Sequence, residues 1–406
     1  MTHSSSSPMP SLLAWRNAVF FVFFSCGLAL SSYMSRVPHI RDTLGASTAD
    51  MGVLAVSIAV GSISGMVLSS HVLARLGARR TILVFTTILT GGVIVAGAGA
   101  SLSSFAVLFL GLAIFGFGLG ITDVSMNVSA AANEQRMHRN LMPLFHALFS
   151  VGTMVGAGLG ALAEMLQIPV VLHVGALTVT CLVAIWLTNH RIQPEFDGVA
   201  HDGAPSTTSA RLAVWKQPLT WFLGLIILGM ALAEGSANDW LALAMVDGHG
   251  QSNTGGAISL GVFLTAMTVG RVAGIRLLDR FGRVPVLRAS AVLAALGLAT
   301  VIFMSQPVIV MLGIIAWGLG SALGFPVGMS AAADDLKFAA ARVSAVATIG
   351  YVAFLAGPPL IGFLGQQVGL LKALLVVLVF IAVAGLVSPA ARERRVLPLP
   401  QASPRN

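Results

Sequence analysis

The sequence predicts an all-α membrane protein of twelve transmembrane helices, arranged as two pseudo-symmetric six-helix bundles. Three observations support this fold class. Of the 406 residues, 56% are hydrophobic and only 9% are charged, whereas soluble domains carry about 25% charged residues. Apolar runs of about 20 residues, the length that crosses a bilayer, recur along the whole chain. One long polar stretch, residues 189–217, separates six of these runs from the other six.

The polar stretch divides the chain into an N-terminal bundle, residues 15–188, and a C-terminal bundle, residues 218–389. Unbroken apolar runs such as residues 107–121 do not alternate as the strands of a membrane barrel do. We interpret residues 1–14 as a disordered cytoplasmic tail, 189–217 as a cytoplasmic linker and 390–406 as a second cytoplasmic tail. The predicted spans are 15–37, 50–74, 80–101, 104–132, 141–165, 168–188, 218–246, 255–278, 285–305, 308–332, 342–366 and 370–389.

The basic residues predict the orientation of these spans. All but four of the 23 Lys and Arg residues fall on one side of the membrane if the N-terminus is cytoplasmic, which is the positive-inside pattern. Both termini are therefore expected in the cytoplasm. Attraction to anionic lipid accounts for the net charge of +8, so no nucleic-acid partner is predicted. Cys26 and Cys181 lie inside predicted spans, where cysteines act as small apolar residues, and neither a metal nor a cofactor is expected.

Two basic hairpins repeat at matching places in the two halves. The segment LARLGARRTIL (73–83) aligns with LDRFGRVPVLR (278–288), so that Arg75 and Gly77 fall on Arg280 and Gly282. A second echo, GLAIFGFG (111–118) with GIIAWGLG (313–320), occurs in the same order. Such repeats are typical of transporters built from two parallel six-helix halves. The basic residues of each hairpin can anchor it at the cytoplasmic face.

The second hairpin resembles the loop signature of the Major Facilitator Superfamily. Its pattern is Gly274-x4-Asp279-Arg280-x-Gly282-Arg283. The resemblance implies that such a loop helps to hold the two bundles together in one conformation, as an alternative to a simple cytoplasmic anchor. In the first hairpin Ala74 replaces the acidic residue, which puts this role of the first hairpin in doubt. Within the superfamily the chain resembles a branch of bacterial inner-membrane permeases near the fucose permeases. The stretches that carry this resemblance are SSYMSRVPHIRD (31–42), GITDVSMNVSA (120–130), LFHALFSVGTMVGAG (144–158), AEGSANDW (233–240), VGRVAGIRLLDRFG (269–282) and TIGYVAFLAGPPLIG (348–362).

Ionisable residues inside spans need a partner, water or a function, because a charge at the bilayer centre costs about 2.5–3.5 kcal/mol or more. Asp123 and Asn127 lie four apart on one face of the fourth helix. His146 lies at a similar depth on the fifth helix. These three side chains form either a structural hydrogen-bond network or a site for proton coupling and gating.

The seventh helix carries Glu234, Asn238, Asp239 and Trp240. Glu234 and Asn238 share a face, whereas Asp239 points away from Glu234. The resemblance implies that the first and seventh helices line the central path, so we expect Glu234 to couple transport to protons and Asn238 and Trp240 to line the cavity. Asp239 is expected either to pair with Arg36 in an outer gate or to lie at the interface.

Further polar and aromatic residues are candidates for the solute cavity or the gates. Ser32 lies on one stripe of the first helix, and Thr348 and Tyr351 lie on one stripe of the eleventh. Such hydroxyl stripes either pack helices or bind solute. Trp317, like Trp240, either stacks on a flat ligand or packs in the bundle. Arg271 inside the eighth helix requires an acidic or carbonyl partner that the sequence does not identify.

These observations favour a secondary active transporter that moves a small solute by alternating access. No GxxxxGK[ST] phosphate loop is present, so nothing supports ATP hydrolysis, and no catalytic motif indicates an enzyme. The resemblance implies a sugar-like solute, proton symport and a functional monomer. Proton-driven efflux of amphipathic compounds and a membrane sensor that keeps the fold without transport are the alternatives.

Overall fold

The computed structural model describes residues 11–137, 141–193, 213–334 and 338–393. These residues form helices joined by short turns, and no strand occurs among them. The predicted linker and both predicted tails lie largely outside the described residues. Eleven helices in the described ranges are long and apolar enough to cross a membrane.

One of those eleven helices contains two spans. Thr48–Ser101 has 54 residues, a length of about 80 Å at 1.5 Å per residue, far beyond the thickness of a bilayer. Gly77 interrupts it with non-helical angles, φ 69° and ψ 160°. Just past its end, the Ser103 hydroxyl donates to the carbonyl oxygen of Thr43, 3.1 Å away and just before its start. The chain therefore turns back at Gly77, and the twelve predicted spans are confirmed.

We number the spans TM1 to TM12. In the first bundle TM1 is Leu12–Met34, TM2 is 48–76, TM3 is 78–101, TM4 is Phe105–Met137, TM5 is Met142–Met165 and TM6 is Val170–Thr188. In the second, TM7 comprises Pro218–Ser236, a π-helical segment Ala237–Leu241 and Ala242–His249. TM8 is Asn253–Phe281, TM9 is Arg283–Phe303, TM10 is Pro307–Ser321 with Gly324–Ala332, TM11 is Ala339–Val368, and TM12 is Leu370–Ala373 with Leu375–Val387.

The two hairpins have matching backbone conformations. Gly282 joins TM8 to TM9 with φ 74° and ψ 172°, close to the angles of Gly77 between TM2 and TM3. This region is open almost only to glycine, which explains why glycine stands at both positions. The repeat seen in the sequence therefore corresponds to a repeated turn.

A short amphipathic helix, Val37–Leu44, joins TM1 to TM2; we call it the connector helix. It marks one end of the molecule, the connector end, and the turns at Gly77 and Gly282 mark the other, the hairpin end. TM1 begins at Leu12, three residues before the predicted start, because the Ser11 hydroxyl accepts a hydrogen bond from the backbone N–H of Ala14.

The bundles meet along TM2 with TM11 and along TM5 with TM8, and TM1 contacts the π-helical segment of TM7. Within the first bundle, glycines bring TM1 and TM5 together. A Cβ atom on Gly27 or Gly152 would overlap the backbone of the facing helix at Phe149 or Phe24. This close approach of helix backbones through small residues is typical of membrane bundles.

Candidate functional site

Arg271 requires a partner that the sequence does not identify, and in the structure this partner is Glu234. Both oxygens of the Glu234 carboxylate bind the Nη2 atom of Arg271, at 2.9 and 3.1 Å. The Arg271 Nη1 atom donates to the Ser150 hydroxyl of TM5 at 3.1 Å. Glu234 lies halfway along TM7 and Arg271 lies on TM8, so this group joins the second bundle to the first at mid-depth. Sequence reasoning missed Ser150, because nothing in the sequence pairs a serine on TM5 with an arginine on TM8.

The Glu234–Arg271 pair is only partly buried. The exposed fractions of the two side chains are 19% and 32%, although both lie deep within their spans. His146, Thr348 and Tyr351 are exposed as well. We call the space that these five side chains border, between the two bundles, the central crevice. The ion pair is thus not sealed inside either bundle.

Of the predicted group of Asp123, Asn127 and His146, the structure joins only Asp123 and Asn127 by hydrogen bonds. The Asn127 amide donates to the backbone oxygen of Asp123 at 2.8 Å and reaches its carboxylate at 3.5 Å. His146 instead packs edge-on against the ring of Phe23 and lies within electrostatic range of Arg271. The reason is that TM4 and TM5 touch along only a short stretch, which holds His146 away from TM4.

Asp123 faces the second bundle. It lies within electrostatic range of Tyr351 of TM11, whose hydroxyl approaches the Met66 sulfur of TM2 at 3.5 Å. Thr348, one turn before Tyr351, turns its hydroxyl back to the carbonyl oxygen of Ser344. The candidate cavity residues on TM4 and TM11 therefore lie near the contact of TM2 with TM11, whereas the Glu234–Arg271 pair lies at the contact of TM5 with TM8.

The polar residues of TM7 lie in two different segments, Glu234 before the π-helical segment and Asn238 and Asp239 inside it. Glu234 precedes it and faces Arg271, whereas Asp239 lies inside it, within electrostatic range of Tyr33 on TM1. Asn238 is half-buried. In a π-helix each hydrogen bond spans one residue more than in an α-helix, so the fourfold spacing of Glu234 and Asn238 no longer defines one face.

Both tryptophans offered as stacking platforms are buried in this structure. Trp240 is 1% exposed and Trp317 is 0% exposed. Trp317 packs against Phe263 of TM8, with 5.3 Å between ring centroids. The indole N–H groups of both tryptophans lack a hydrogen-bond partner within the described part of the chain. The rings fill the interior of the second bundle, so packing accounts for them better than contact with a solute.

The predicted alternative of an Arg36–Asp239 pair is wrong. Arg36 forms an ion pair with Glu164 of TM5, with 2.9 Å between Nε and Oε2, and donates from Nη2 to the carbonyl oxygen of Ile168. Both side chains are buried, at 0% and 5% exposure. Ser32, on the same face of TM1, reaches the carbonyl oxygen of Gly156. This stripe of TM1 faces TM5 rather than TM7, and the ion pair fastens the first bundle internally.

The contacts that do join the bundles at the connector end are different ones. Arg41 of the connector helix binds both carboxylate oxygens of Asp247, at 2.6 and 2.7 Å. The neighbouring Asp42 accepts a hydrogen bond from Asn253 at 3.0 Å. We call these four residues the connector latch. They lie at the ends of spans, where the sequence shows only surface charges, so their pairing could not be read from it.

The hairpin residues stay within their own bundles. Arg283 forms an ion pair with Asp334 beyond TM10, at 2.6 Å, and its backbone N–H donates to Glu393 at 2.7 Å. Arg280 lies over the ring of Phe281. The remaining predicted residues of the two loops, Asp279 and Arg75, are exposed. The second hairpin thus ties TM9 to TM10 and to the segment after TM12.

Comparison with known proteins agrees with this architecture. The family profile described as Major Facilitator Superfamily matches residues 19–358 and 240–405. An uncharacterised MFS-type transporter of Yersinia pestis is 31% identical over 345 residues, which are 85% of this chain and 87% of that protein.

Two solved structures share the fold. The crystal structure of a mutant of the nucleoside transporter NupG has a TM-score of 0.74 at 16% identity and covers 94% of this chain and 98% of its own. A variant of the E. coli fucose:proton symporter FucP has a TM-score of 0.65 at 16% identity, with coverage of 95% and 100%. The resemblance predicted from the sequence is confirmed. The chain belongs to the Major Facilitator Superfamily and is a multi-pass membrane transporter.

Proposed function

We propose that this transporter is a proton-coupled symporter of the bacterial inner membrane that moves a small, sugar-like solute by alternating access. The observation that carries this proposal is the Glu234–Arg271 ion pair in the central crevice, with its third contact to Ser150 of the opposite bundle. Because Glu234 binds the arginine that contacts the other bundle, a change in the charge of Glu234 would alter the contact between the bundles. The sugar-like class rests on the likeness to a fucose:proton symporter.

The distribution of basic residues assigns the hairpin end to the cytoplasm and the connector end to the periplasm. The connector latch holds the bundles together at the proposed periplasmic end. Close packing of TM2 on TM11 supports it, since a Cβ atom on Gly52 would lie 3.1–3.2 Å from the backbone of Pro358 and Pro359. On this assignment the structure is closed to the periplasm.

Proton coupling follows from the chemistry of the pair. While Glu234 is ionised it neutralises Arg271 and orients its guanidinium, so that Nη1 reaches Ser150. When Glu234 takes up a proton it loses most of its attraction for Arg271, and the contact between bundles weakens. Because a charge that loses its partner is unfavourable away from bulk water, Arg271 must then move or bind another group. Protonation and rearrangement of the bundles are thereby linked.

The test uses purified protein in liposomes. A thermal-shift screen of sugars and polyols first identifies a solute, and proton movement that depends on that solute is then followed with a trapped pH dye. We expect Glu234→Gln to abolish proton-driven uptake while counterflow exchange of the solute continues. The control is Glu393→Gln, a matched acid-to-amide exchange outside the spans. Coupling in Glu234→Gln equal to that of the unmodified protein would remove Glu234 from this role.

A second candidate function, efflux of amphipathic compounds, has one observation in its favour. A groove of about 490 Å³ opens between TM5 and TM8, and small and apolar side chains line it, including Gly158, Ala161, Gly261 and Ala266. An amphipathic compound could enter it from the bilayer. The screen therefore includes cationic drugs, and solute movement out of the proposed cytoplasmic side would favour this alternative.

A further inference from the structure

We infer that the transported solute carries a carboxylate, which takes the place of Glu234 on Arg271. This inference rests on the proposed symport and names the class of its substrate. It is carried by the geometry of the Glu234–Arg271–Ser150 group and by the difference between this ion pair and the others in the described part of the chain.

The side chain of Glu234 shows how a carboxylate binds at this site. Its two oxygens share the Nη2 atom of Arg271, while Nη1 holds Ser150. A solute carboxylate would meet the same guanidinium from the crevice side, where Arg271 is 32% exposed. Guanidinium groups favour carboxylates because their N–H donors lie in one plane at the right spacing. Glu234 is therefore an internal competitor for the proposed binding group.

The other ion pairs of arginines with distant acids are built differently. Arg41 and Asp247 also join the two bundles, but they lie at the connector end and not at mid-depth. Arg36 and Glu164 are sealed from water at 0% and 5% exposure. Arg283 binds Asp334 at the hairpin end, outside the crevice, and Ser330 holds its second nitrogen. Among these arginines, Arg271 is the one that lies at mid-depth between the bundles and is partly exposed there.

The surroundings place an anion on the Arg271 side of the crevice. His146 lies within electrostatic range of Arg271 and carries no negative charge that would oppose an anion there. Asp123 lies within electrostatic range of Tyr351 on TM11, and its negative charge would repel a solute carboxylate there. A solute that bears a carboxylate at one end and hydroxyl groups at the other would fit this polarity, with the hydroxyls toward Asn127 and Tyr351.

The exchange balances in charge. One proton is added to Glu234, which becomes neutral, and one carboxylate binds Arg271 in its place. One proton and one monoanion then cross together, so no net charge moves. Symport of this kind is driven by the pH gradient and does not respond to the membrane potential. A neutral sugar carried with one proton would instead move one positive charge.

The first test measures binding and does not depend on transport. Gluconate and glucuronate, with glucose as the neutral counterpart, are titrated against purified protein by calorimetry. Removing the competitor in Glu234→Gln is expected to tighten carboxylate binding about fivefold, the factor that corresponds to about 1 kcal/mol for a partly exposed ion pair. Asp334→Asn, which also deprives an arginine of its carboxylate, is the matched control and should show no gain. Arg271→Gln should lose carboxylate binding.

Equal binding of gluconate, glucuronate and glucose by Glu234→Gln would overturn the inference, as would an equal gain in Asp334→Asn. The second test uses the unmodified protein, so it stands even if a variant fails to fold. Proton-coupled uptake of a hydroxy acid that is unchanged by a valinomycin-imposed potential supports the inference. Proton-coupled uptake of a neutral sugar or an amine overturns it and leaves the proposed symport intact. Tighter carboxylate binding without any uptake supports the site but contradicts the symport.

Discussion

The connector latch should set how often the bundles separate at the connector end. Asp247→Asn removes the carboxylate whose two oxygens both accept hydrogen bonds from Arg41. The closed arrangement should then become less populated relative to the open one. This is the perturbation through which the proposed alternating access can be measured most directly, because Arg41 and Asp247 belong to different bundles.

The size of the effect follows from the surroundings of the pair. Arg41 is 17% exposed and Asp247 is 30% exposed, so water weakens their attraction. After the substitution Arg41 keeps Asp42, whose Oδ1 atom lies 2.8 Å from its Nε atom, and no buried charge is left alone. The loss is therefore about 1 kcal/mol, the upper part of the range for exposed pairs, rather than the larger cost of breaking a buried pair. A loss of about 1 kcal/mol lowers the ratio of closed to open molecules about fivefold.

The ratio can be read from the distance between spin labels on the two bundles. Thr43→Cys and Lys372→Cys place labels at exposed positions of the connector end, in a protein whose two native cysteines are replaced. Double electron–electron resonance should show a longer-distance population that grows in Asp247→Asn. Exchanging the two charges, Arg41→Asp with Asp247→Arg, should restore much of the short-distance population.

Asp334→Asn is the control, since it breaks an ion pair of the same length and similar exposure that stays inside the second bundle. That variant should lose stability without changing the distance between bundles. If Asp247→Asn leaves the distance distribution as it is, or if Asp334→Asn changes it equally, the latch does not hold this end closed.

Two further predictions concern the second hairpin. Gly282→Ala should destabilise the protein by about 1–3 kcal/mol, because a φ of 74° is unfavourable for residues other than glycine. Gly91→Ala, at a helical site with open space around it, should not. Thermal denaturation in detergent compares the two variants, and equal midpoints would contradict the argument. Hydrogen bonding from the backbone N–H of Arg283 lowers the pKa of Glu393. Its stabilising effect is therefore present above the ordinary carboxyl pKa and is lost as the pH falls through the lowered value. The difference in midpoint between the unmodified protein and Glu393→Gln should shrink on acidification, and a constant difference would refute the linkage.

The fold could be predicted from the sequence because lipid leaves few choices. The number of spans follows from apolar length together with the glycine turn that divides Thr48–Ser101, and the equivalence of Gly77 and Gly282 is visible as a sequence repeat. Only the helix boundaries moved, as at Ser11, where a single capping hydroxyl decides the first residue of TM1.

The site was only partly predictable. Glu234 and Arg271 were each recognised as unable to face lipid alone, but their pairing depends on how TM7 and TM8 are rotated about their axes, which no pattern in either helix specifies. The alternative of an Arg36–Asp239 pair fails because Glu164 is the acid beside Arg36, and Glu164 comes close only through the glycine-mediated packing of TM5 on TM1. Partners across helices depend on packing, and packing is a property of the whole bundle.

The π-helical segment of TM7 has a mechanical consequence. It holds one surplus residue in a turn, because each of its hydrogen bonds spans one residue more than in an α-helix. If the surplus moved by one turn toward His249, the residues that it passed, among them Asp239 and Trp240, would swing sideways while Glu234 kept its place. The position of the π-helical segment therefore sets which way the residues after Glu234 face, separately from the residues before it.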